Sequence, residues 1–121
     1  MPLSSAAHVM SADSIIGTAV QNAAGEDLGE VKDLMLDLRH GRIAYAVLSF
    51  GGFLGFGDKL FAIPWEALTL AAPPNPSIFI LRVPRERLER APGFDPDHWP
   101  DMADLTWAEA IHQYYGYKPY W

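Results

Sequence analysis

The sequence contains no cysteine, which excludes a disulfide framework, a thiolate zinc site and a cysteine nucleophile. It is also short of positive charge: 9 Lys and Arg stand against 15 Asp and Glu, for a formal charge of −6. Nucleic-acid binding takes most of its affinity from cations that neutralise phosphates, so this balance argues against it. Arg82, Arg85, Arg87 and Arg90 form the one local basic cluster, and Glu86 and Glu89 dilute it. Long apolar runs are missing too, and none approaches the roughly 20 residues that cross a bilayer as a helix. The first 14 residues carry neither Lys nor Arg, and Ser4, Ser5, His8, Ser11 and Asp13 interrupt their apolar stretch. A secretory signal needs a positive start and an unbroken apolar core, so a soluble, cytoplasmic protein is expected.

What is present is a core. Half of the 121 residues are hydrophobic, enough for one folded domain and too many for a disordered chain. The texture divides the chain into a flexible lead over 1–12, a β-rich block over 13–83 and a helical, aromatic C-terminal extension over 84–121. In the β block, apolar runs at Ile15–Val20, Leu28–Leu38, Arg42–Phe50, Leu60–Ile63 and Ser77–Val83 alternate with turn signals. A turn is expected at Asn22–Gly25, and His40-Gly41 reads as a two-residue hairpin turn across which Asp37 and Arg42 could pair. Both alternating sets of Leu34–Leu36 and Ala44–Leu48 are apolar, so these strands should be covered on both faces. A small closed barrel wrapped by the extension or by a second subunit meets that demand.

The extension reads as two helices. Pro84 opens a short one, supported by Glu86 and Arg90 four apart and stopped at Pro92-Gly93. Thr106 and Glu109 have capping-box spacing for a second, with Trp107, Ile111 and Tyr114 or Tyr115 on one face and Gly116 as its left-handed cap. Eight of the fifteen aromatic side chains lie between Phe94 and Trp121. Helices this short do not persist alone in water, so the extension must dock.

Candidate chemistry is thin. Gly51–Lys59 is glycine-rich, but no Ser or Thr follows Lys59 and a strand rather than a helix comes next, so neither a phosphate loop nor a dinucleotide fingerprint is expected. Phe53, Leu54 and Phe56 in that loop should fold over the barrel mouth or enter a partner. Asp95–Asp101, with Asp104 and His112 beyond, could attract a divalent cation, yet it lacks the glycine and terminal glutamate of a calcium loop and reads better as turns. His8, His40, His98 and His112 are scattered and read as surface residues. Ser49 lacks a nucleophile elbow. Asp33 and Asp37, about 13 Å apart along a strand, are too far apart for paired acid–base work. No catalytic, cofactor-binding or metal residue is expected.

The blocks Ile16–Val20, Gly25–Asp37, Gly41–Phe50 and Gly57–Trp65 resemble the PRC-barrel family, named after the cytoplasmic barrel of the photosynthetic reaction-centre H subunit. The resemblance spans about residues 13–83, and the stretch from Phe94 is similar to the extension of small stand-alone bacterial members. It implies a six-stranded β-barrel used as an interaction module, with no shared catalytic residues. Other members include a ribosome-maturation factor that binds a small-subunit protein. Neither the H subunit's membrane helix nor that factor's partner domain is matched here. The expected protein is therefore an all-β core with a helical, aromatic-rich extension, acting as a non-enzymatic binding or regulatory module. A homodimer or a larger protein complex is expected. Its interaction surface is expected at Phe53, Leu54, Phe56, Trp99, Trp107, Ile111, Tyr114, Tyr115, Tyr117 and Trp121. Two alternatives stand beside it: a response to a small ligand or divalent metal through 95–101, and an accessory role with ribosome or RNA.

Overall fold

The computed structural model describes residues 9–51, 58–71 and 78–121. The chain enters through α1 (Ala12–Ile15), one helical turn capped by the Ser11 hydroxyl, which accepts from the Ser14 backbone N–H at 3.1 Å. That helical turn shortens the strand expected over Ile15–Val20. Ile15 is buried at the end of the turn, Ile16 is exposed, and only Ala19–Gln21 is extended as β1. The strands that follow are β2 (Asp27–Asp37), β3 (Arg42–Gly51), β4 (Asp58–Pro64), β5 (Leu68–Leu70) and β6 (Ile78–Leu81). They form one curled six-stranded sheet in the order β4-β3-β2-β1-β6-β5. All neighbours are antiparallel except β1 and β6, which run parallel. A 3-10 turn at Trp65–Ala67 joins β4 to β5, a strand of three residues that the sequence pattern does not suggest.

Two local devices set the register. Asn22 is buried, and its Oδ1 accepts from the backbone N–H of Ala24 and of Glu26, both at 3.0 Å, which fixes the β1–β2 turn. Gly29 sits at φ +106 opposite β3, where an added Cβ would lie 2.0 Å from the Ser49 carbonyl oxygen. No side chain fits between these two strands at that point.

The β2–β3 turn corrects the two-residue expectation. Asp37 and Arg42 are paired in register, so the turn holds four residues, Leu38 to Gly41. The Asp37 carboxylate organises it, accepting at Oδ1 from the backbone N–H of Arg39 and His40, each at 3.0 Å. Asp37 and Arg42 do not form the cross-hairpin ion pair, because Arg42 bonds Glu66 instead.

β3 meets the demand for cover on both faces, since Tyr45 to Phe50 are all buried. Tyr45, Val47 and Ser49 share one face, Ala46, Leu48 and Phe50 the other. On the first, Tyr45 meets the last helix. On the second, Phe50 packs with Phe61 of β4 and lies beneath the Arg85 guanidinium.

That arginine opens α2 (Arg85–Glu89), whose Leu88 is fully buried. Pro84 is its N-cap, and Glu86 and Arg90 are not among the ion pairs of the described residues. Beyond α2 the chain returns to the sheet, where Phe94 and Leu60 exchange backbone hydrogen bonds of 2.8 and 2.9 Å at the free side of β4. α3 (Leu105–Tyr115) is capped by Asp104, whose carboxylate accepts from the Thr106 N–H at 2.9 Å, so the expected Thr106–Glu109 box does not form. A carboxylate at this position also complements the helix dipole, an advantage Thr106 lacks. Gly116 ends α3 in the left-handed conformation, as expected. Ala108, Ile111 and Tyr115 of α3, with Leu88 and Ala91, join the strands in a single core cluster.

Candidate functional site

β2, β3 and α3 leave a groove of about 680 Å³ between the hairpin end and the C-terminal segment. Its hairpin wall is Met35 to His40 with Ala44 and Tyr45, and its other wall is Met102, Ala103, Leu105 and Ala108. Tyr120 and Trp121 close one side. Large apolar groups stand exposed along it: Leu36 at 62%, Leu38 at 87% and Leu105 at 58%. Leu36 and Leu38 belong to the strand end and turn, where the sheet has run past the core, and Leu105 is the first residue of α3.

A polar network holds the closing segment down. The Tyr120 hydroxyl donates to Asp37 Oδ2, and His40 Nδ1 meets the same oxygen at 2.8 Å. The Arg42 guanidinium lies 3.7 Å from the Tyr120 ring centroid, a cation–π contact, while its NH2 group bonds Glu66. The Tyr120 hydroxyl, aided by the His40 backbone N–H, holds the Asp37 carboxyl down at about 2. Burial and the same hydrogen bond to Asp37 push the Tyr120 phenol up to about 12.

Behind the network lies His112, with no solvent exposure. Its Nδ1 donates to the Ala108 carbonyl one turn back at 2.9 Å, leaving Nε2 without a hydrogen bond among the described residues and 3.9 Å from Glu66 Oε1. The rings of Tyr45, Tyr120 and Trp121 surround it, with Trp121 edge-on at 5.0 Å. The expectation of a surface histidine is therefore corrected. Its i−4 backbone bond satisfies one ring nitrogen, and the surrounding aromatic rings pack about the rest of it. Burial likewise raises the Tyr45 phenol, whose hydroxyl has no hydrogen-bond partner among the described residues.

The expected interaction residues fall into three groups. Phe53, Leu54 and Phe56 lie outside the described residues. Ile111 and Tyr115 are buried in the chain's own core, while Trp107 and Tyr114 are half-buried against it. Trp107 packs on Tyr45 at 5.3 Å, and the Tyr114 hydroxyl donates to the Arg87 carbonyl while the Arg87 guanidinium returns a bond to the Tyr114 carbonyl. Trp99, Tyr117 and Trp121 keep 38–40% of their surface exposed, and of these Trp121 lines the groove. Sequence reasoning does not single out Asp37, Arg42, Glu66 and Tyr120 as site residues, nor Leu36, Leu38 and Leu105. The apolar Leu38, on a turn that should be polar, is the available signal.

The acidic segment is built of turns. Trp99 Nε1 donates to the Pro96 carbonyl at 2.7 Å, and Asp101 Oδ1 accepts from the Ala103 N–H at 3.0 Å. Among the described residues no three or more His, Asp or Glu converge as a metal site, and no helix is long and apolar enough to cross a membrane.

Set against known proteins, residues 7–88 match the family model of the PRC-barrel domain. No curated protein matches the chain.

Proposed function

From the premise that the chain belongs to the PRC-barrel family, whose domain is a non-catalytic module of protein interaction, we propose that it works by docking protein on the groove beside the β2–β3 hairpin. The observation that carries this reading is the row of exposed Leu36, Leu38 and Leu105 along a cavity of about 680 Å³. Contiguous apolar surface of this kind is kept on a folded domain where a partner covers it. In this reading the six strands close as the family's barrel, and residues 84–121 belong to the same folded unit as residues 13–83. Trp99, Tyr117 and Trp121 extend the docking surface. The Tyr120–Asp37 hydrogen bond and the Arg42 contact on the Tyr120 ring keep the groove's closing side in place before a partner arrives, which lowers the entropic cost of binding.

The test is a paired capture from the native cell with the wild-type chain and a Leu38→Asp, Leu105→Asp variant, followed by mass spectrometry. Both leucines are exposed, so the variant should fold with an unchanged melting curve. Proteins retained by the wild type and lost from the variant are the expected result. Equal retention by both chains would move docking away from this groove.

A further inference from the structure

We propose that the occupant of the groove is a second copy of this chain, related by a two-fold axis that runs along the groove. The inference rests on the docking role of the groove proposed above and names the partner. Its ground is the charge on the two rims. The hairpin rim carries Arg39, whose guanidinium has no ion pair among the described residues, while the Asp37 carboxylate of the same rim is taken up by Tyr120 and His40. The opposite rim carries exposed Asp101 and Asp104, flanking the lining residues Met102 and Ala103.

A two-fold axis lying along a groove brings each rim of one copy over the opposite rim of the other. Arg39 of one chain then faces Asp101 and Asp104 of its mate, twice in the assembly. The same operation turns Leu38 of each chain toward the rim that carries Leu105 of the other, so that apolar surface is covered on both sides. An axis across the groove would put Arg39 against Arg39 and is disfavoured. The overall charge of −6 per chain opposes self-association in general, so a face with both signs in register is where two copies can meet.

Arg39→Glu and Asp101→Arg test the arrangement, with Asp104 kept because it caps α3. Light scattering over a concentration series should show a dimer for the wild type. Each variant alone should dissociate at roughly tenfold or more higher concentration, because like charges then meet at both rims. An equimolar mixture of the two variants should recover the dimer. At one rim contact the introduced carboxylate of the first variant meets the introduced guanidinium of the second, and at the other the unaltered Arg39 and Asp101 meet. Thermal melting of each variant confirms that it is folded. A wild-type chain that stays monomeric at high micromolar concentration overturns the proposal, as does a dimer that both variants leave intact. Either outcome leaves the docking role standing if capture still depends on Leu38 and Leu105. Loss of that dependence, with the dimer still recovered by mixing, would instead strike the docking of other proteins alone.

Discussion

The sheet and the C-terminal segment share a core but are held in it by different means. In the sheet, β3 buries every side chain from Tyr45 to Phe50, and Gly29 lets the β2 and β3 backbones close to a distance no Cβ would tolerate. The C-terminal segment adds rings with polar handles: Tyr114 to the Arg87 carbonyl and Tyr120 to Asp37. Backbone approach and apolar burial respond little to pH, whereas the Asp37 carboxylate that holds Tyr120 does. The contrast implies that conditions can loosen the segment while sparing the sheet.

The largest effect should come from the sheet side. Gly29→Ala places a methyl group against the Ser49 carbonyl in a conformation that L-residues avoid, and should cost about 4 kcal/mol or more. Calorimetry should show the entire chain melting at much lower temperature. Ile111→Ala attacks the seam between the two regions and should cost about 2–5 kcal/mol. Because the strands and helices form one core cluster, melting should remain a single transition. Two separated transitions would show that the segment folds as its own unit.

Smaller effects isolate the segment. Asp104→Ala removes the α3 cap and should cost about 1 kcal/mol in denaturant melts, with Asp104→Asn retaining most of the stability. Tyr120→Phe removes one hydrogen bond to a carboxylate that water also reaches, so it should cost less than loss of the cap. Its signature is the Asp37 pKa, which should rise toward the ordinary carboxylate range in an NMR titration. Acid should produce the mildest change. The folded-state pKa of Asp37 is depressed to about 2, so its contribution is present above the ordinary value of 3.8 and fades as pH falls from there through 2. Trp121 fluorescence should report the segment loosening in that window, and Asp37→Asn should abolish this acid response. An acid response of equal size in the variant would assign it to another carboxylate.

The sheet is legible where its logic is local. The doubly apolar pattern of Ala44–Leu48 announces a strand covered on both faces, and Gly116 announces the end of α3. β5 escapes because three residues, Leu68-Thr69-Leu70, are too few to display a period. The cap of α3 is displaced because a capping-box spacing at Thr106 and Glu109 competes with the plain aspartate two residues earlier. The groove is illegible for a different reason. Its walls come from residues 35–45, 102–108 and 120–121, and only the tertiary fold brings them together. Leu36 reads as strand, and apart from the apolar Leu38 on the turn nothing in its immediate neighbours says that the strand outruns its cover. His112 is hidden because the partner that satisfies it is a backbone carbonyl of its own helix, which carries no side-chain signature.

The short bridge between Phe94 and Leu60 bears on how the molecule avoids joining its neighbours into fibres. β4 ends the hydrogen-bonded order, and a bare flank there would offer N–H and C=O groups to any passing extended chain. By laying Phe94 across that flank, the chain blocks indiscriminate strand addition at Leu60, its own backbone occupying the place an intruder would take. Gly93 makes this possible, since any side chain there would collide with the Leu60 carbonyl and the Phe61 ring. Losing that glycine would therefore be felt in shelf life and turbidity as well as in melting temperature.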